Sequence, residues 1–65
     1  MAIREQYDFV VADYNSDIQR LRSSVSKRDN AECSDVRRHN HEMAAFWMIC
    51  LANDRRNIQF YRNYI

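Results

Sequence analysis

The chain of 65 residues contains no glycine and no proline. Those two residues make tight turns, hairpins and bulges, so a β or α/β domain of this size lacking both would be unusual, and long helices, which need neither, are expected. Two cysteines are too few for the disulfide framework of a small secreted domain, and neither zinc-ligand spacing nor a signal-peptide core is present. This implies a reducing, cytoplasmic setting. Formal charge is only +1, so no net field holds a polyanion. The longest apolar run stops at Ala52, where Asp54, Arg55 and Arg56 follow, well short of the roughly 18 to 20 residues that span a bilayer.

That run, Met43 to Ala52 (MAAFWMICLA), is the centre of the chain. Ten consecutive non-charged positions cover every side of a helix, and one neighbouring helix cannot bury them all. A single domain this small also has a marginal core unless it is stapled or assembled. The run is therefore expected to sit inside an oligomer.

Hydrophobic spacing predicts the helices. Ile3, Tyr7, Val10, Tyr14, Ile18, Leu21 and Val25 repeat every eleven residues, about 3.67 per turn, which describes a nearly straight helix. The first helix is expected over 2–27, or divided in two if Asn15, Ser16 or Asp17 caps a new start. SSVSKRDN provides the turn, at 26–30. Asp29 and Glu32 have the spacing of a capping box, with Ser34 a rival start one turn later, and the second helix is expected over 30–63. The fold class is all-α: one domain, 1–65, an antiparallel helical hairpin assembling into a homodimeric bundle.

Net charge alternates along the chain, −3 over 1–17, +4 over 18–28, −2 over 29–42 and +2 over 43–65, so folding at the turn sets acidic against basic at both ends. With the turn near Asp29, Tyr14 would face Met43, Val10 Trp47, Tyr7 Cys50 and Ile3 Asp54. The second helix would then overhang the first. The expected oligomer core is Val10, Tyr14, Met43, Phe46, Trp47, Cys50 and Leu51, and the expected dimer or partner contact is Arg56, Ile58, Phe60, Tyr61, Arg62 and Tyr64, a mixture of aromatics and arginines enriched at binding hot spots.

Sharper motifs carry little. His39 and His41 are two residues apart, roughly 200° around a helix, where a zinc pair needs spacings of three or four. Cys33 and Cys50 stand about 25 Å apart along one helix, beyond a disulfide. Asp54, the one charge on the buried phase, either meets Arg4, meets an arginine of another subunit, or reaches water. Arg37-Arg38 and Arg55-Arg56, near Tyr61 and Tyr64, are the sole nucleic-acid signal. No catalytic, metal or cofactor constellation stands out, so no enzyme is expected.

In size, helical character, missing glycine and proline and scarce cysteine, the chain resembles the small accessory proteins encoded in the early region of lambdoid temperate phages, between the recombination and excision genes. That resemblance implies a non-enzymatic protein made early in infection that modulates the host, or the choice between lysis and lysogeny, through protein contacts in the host cytoplasm. The alternative is a DNA-binding regulator that uses the arginine pairs on a dimer surface.

Overall fold

A computed structural model describes residues 2–65. It contains two helices, α1 (Ile3–Asp29) and α2 (Ser34–Arg62), folded into a hairpin of about 47 × 14 × 14 Å. α1 is continuous through Asn15–Asp17. No helix among the described residues is long and apolar enough to cross a membrane.

Without glycine, the chain ends α1 with an asparagine. The Asn30 amide donates to the Ser26 carbonyl at 2.9 Å and lies 3.3 Å from the Ser26 hydroxyl, while its backbone N–H also donates to the Ser26 carbonyl at 3.0 Å. These bonds satisfy a carbonyl that the helix end would otherwise leave open. Arg37 then reaches back to the Ala31 carbonyl at 3.0 Å and ties the turn to the start of α2. The predicted Asp29–Glu32 capping box does not form: Asp29 is the last residue of α1 and pairs with Arg28, and Ser34 opens α2.

Placing the turn at 30–33 changes the pairing of the helices. Trp47 meets Arg20, whose guanidinium lies 5.1 Å from the ring centroid, instead of Val10; Asp54 meets Asp17 instead of Ile3; Val10 lies beside Tyr61. The predicted register is thus displaced by roughly three to four helical turns along α1. The overhang disappears with it, because α1 accompanies α2 to Tyr61.

The seam follows a seven-residue repeat and not the predicted eleven. Tyr7, Val10, Tyr14, Asp17, Leu21, Ser24 and Arg28 on α1, and Asn40, Ala44, Trp47, Leu51, Asp54, Ile58 and Tyr61 on α2, alternate steps of three and four and are all buried or half-buried. Two helices in contact over this length stay in register only with a repeat near 3.5 residues per turn. The predicted stripe drifts off the seam: Ile3 is 41% exposed. Ala44, 3% exposed, and Ser24 lack bulk, so they leave room for the partner helix. Nor do ion pairs orient the hairpin. The four salt bridges among the described residues, Arg4–Asp8, Arg20–Asp17, Arg28–Asp29 and Arg38–Asp35, each lie within one helix. Arg28 Nη1, 3.3 Å from His41 Nδ1, is a polar contact between the helices.

Candidate functional site

The residues singled out from sequence divide between two faces of α2. Met43, Trp47, Cys50 and Leu51 turn toward α1, where Val10 and Tyr14 are also at least half-buried; Phe46 points outward. The expected oligomer core is therefore mostly the hairpin's own seam. Of the expected contact group, Ile58 and Tyr61 are half-buried, and Arg56, Phe60, Arg62 and Tyr64 are exposed. Tyr61 shares a shallow depression with Gln6, Phe9 and Val10.

The outer surface is strongly apolar. Phe46, Met48, Ile49 and Phe60 are each at least half exposed, with Ile49 at 70%, and Phe9 of α1 joins them. Aromatic edges organise both ends of the patch. Phe46 meets Trp47 edge-on at 5.0 Å, and Phe60 lies 5.3 Å from Tyr61 and 5.2 Å from Tyr64. Such pairs hold large rings in fixed orientations before any partner arrives.

The seam carries a second feature, which sequence reasoning missed. Asp17 is buried and accepts a hydrogen bond from Arg20 Nη1 at 2.7 Å, and the same guanidinium stacks on Trp47. Facing Asp17 across the seam is Asp54, which is half-buried and does not meet Arg4, since Arg4 pairs with Asp8. Oδ2 of Asp54 is buried with no conventional donor, so the contact between the carboxyls is satisfied when they share a proton. Loss of solvation, then the hydrogen bond and charge of Asp17, then the charge of Asp13, push Asp54 up to about 6. Asp17 is held below the usual carboxylate range, chiefly by the hydrogen bond with Asp54 and then by Arg20, against its burial. The signal for Asp17 was its place in the 10, 14, 17, 21, 24 spacing, hidden because that repeat mixes polar and apolar residues.

Two further groups sit elsewhere. Asn40 is buried and donates to the Val36 carbonyl at 2.9 Å, so it bonds within its own helix. Cys33 lies exposed at the N-terminus of α2, where the amides of Val36 and Asp35, with a smaller effect of Arg37, hold its thiol below the ordinary range. His39 is exposed. Comparison with known proteins leaves the reading to this geometry, since no family model, curated protein or solved structure matches the chain.

Proposed function

We propose that this chain is a non-enzymatic helical module that self-associates and acts through protein contacts. The observation that carries the reading is an inverted distribution of side chains. Among the described residues the buried apolar side chains are Ala44 and Leu51, while Phe9, Phe46, Met48, Ile49 and Phe60 face outward. Exposed apolar surface on this scale marks an interaction site. Such a surface suits a phage-encoded modulator in the host cytoplasm that binds itself and a host or phage protein. Sedimentation equilibrium at micromolar concentration tests the first half: a dimer or larger species is expected, and a folded monomer throughout overturns it.

The DNA-binding reading draws on one observation. Arg37, Arg55 and Arg62 lie eighteen and seven residues apart and so share one side of α2. Duplex affinity that falls steeply with salt would favour it over the protein-contact reading.

A further inference from the structure

The outer face of α2 contains a second seven-residue repeat. Phe46, Ile49, Asn53, Arg56 and Phe60 recur at steps of 3, 4, 3 and 4, and all five are exposed. They lie about 150° around the helix from the seam that packs on α1. A helix with two such seams is built for two neighbours, and the hairpin supplies one.

We infer that the second neighbour is α2 of another copy, packed antiparallel about a two-fold axis through Asn53. This deepens the self-association reading and rests on it. The spacing is symmetric about Asn53: Ile49 and Arg56 stand on either side of it, then Phe46 and Phe60. Turning one copy end for end sets Phe46 against Phe60 of its partner, twice, and Ile49 against the methylene stem of Arg56, twice. Asn53 meets itself, and an amide that both donates and accepts is complementary to its own copy. A polar asparagine within an apolar seam also fixes register, which a uniformly greasy face would leave free to slide.

The aromatic geometry suits this arrangement. Phe60 and Tyr64, 5.2 Å apart, form a small cluster at one end of the face, and Phe46, steadied against Trp47, is a single ring at the other. The single ring of each copy meets the cluster of the other. The one charged position of the repeat is Arg56, and Asp54 faces the other seam. The two Arg56 side chains stand on opposite sides of the two-fold axis, about 9 Å apart along the helix direction, near a Debye length at physiological salt.

The exposed area agrees with the occupant. The hairpin leaves 5037 Å² accessible, whereas a compact chain of 7.9 kDa exposes about 4400 Å². The surplus, about 600 Å², approaches the roughly 800 Å² that one partner contributes to a standard interface. The pair so formed is a four-helix arrangement with α2 of both copies at its centre and α1 outside. The Met43–Ala52 run is then covered on two sides.

Cross-linking tests the axis directly. In a chain carrying Cys33→Ser and Cys50→Ala, Asn53→Cys places a thiol on the two-fold and is expected to oxidise readily to a covalent dimer. Arg22→Cys, on α1, is not. Equal cross-linking at both sites, or none at Asn53→Cys, overturns the axis, as does efficient coupling of Ile49→Cys in place of Asn53→Cys. In parallel, Phe46→Ser with Phe60→Ser, both exposed and so compatible with a folded hairpin, is expected to weaken the dimer roughly 100-fold or more with helicity retained by circular dichroism. A dimer that survives the double change overturns this face and leaves self-association standing. A wild-type chain that stays monomeric overturns both.

Discussion

The two faces of α2 reverse the usual arrangement of a small soluble helix. Its inner face contains Asn40 and Asp54 among Ala44, Trp47, Leu51 and Ile58, while its outer face presents Phe46, Met48, Ile49 and Phe60 to the surroundings. The inner face has the repeat that side-by-side packing requires, but spends two of its positions on polar groups. The outer face leaves large apolar side chains exposed and has no neighbour within the chain. Burial and hydrophobicity thus part company in this helix, and the difference locates what is still to be bound.

The comparison breaks most clearly at Leu51 and Ile49, two residues apart on opposite faces. Leu51 is 8% exposed, and Leu51→Ala should lower stability by about 2 to 4 kcal/mol at every protein concentration, a large fraction of what a chain of this size has. Ile49→Ala should lower only the part of the stability that depends on concentration. Urea unfolding followed by circular dichroism at two protein concentrations checks both. Equal effects of the two changes would show that the faces are not distinct.

A smaller effect comes from the polar half of the seam. Asp54 holds its proton up to about pH 6 in the hairpin, against 3.8 for an ordinary aspartate, so folding takes up a proton between those values. Stability present below that window is lost as pH rises through it. Asp17 has the opposite sign: its contribution is present above 3.8 and is lost as pH falls through its own lowered value. The two contributions together should therefore peak near the ordinary aspartate value of 3.8 and decline on either side. Asp54→Asn, whose amide can donate to Asp17 permanently, should remove the loss and stabilise the hairpin near neutral pH by about 1 to 2 kcal/mol after solvent screening. Melting curves across that window decide it, and an unchanged pH profile would separate the two carboxyls.

The smallest effect concerns chemistry alone. Cys33 is exposed with a lowered thiol and Cys50 is half-buried, so iodoacetamide should modify Cys33 first, by roughly an order of magnitude in rate at neutral pH. Peptide mapping of partly alkylated protein reads the ratio.

The absent glycine and proline and the apolar periodicity made two long helices and a hairpin legible in the sequence. The register was not legible. It depends on where α1 stops, and the stop is an asparagine side chain closing on Ser26, a signal far weaker than a glycine. Nor was the seam legible, because Asp17, Ser24, Arg28, Asn40 and Asp54 occupy positions that a search for apolar residues passes over. The aromatic residues at the C-terminal end were found for a mistaken reason. Phe60 and Tyr64 are exposed because they face away from α1, not because α1 ends before reaching them.

Trp47 is the sole tryptophan, and the cation resting on its ring is the one that also grips Asp17. Protonation at the carboxyl pair, release of Arg20 and the electronic surroundings of the indole are therefore linked through a single guanidinium. The chain carries its own optical gauge: the emission of unlabelled protein should change with the same midpoint as the titration of Asp54, and Arg20→Gln should uncouple light from proton while leaving the fluorophore in place.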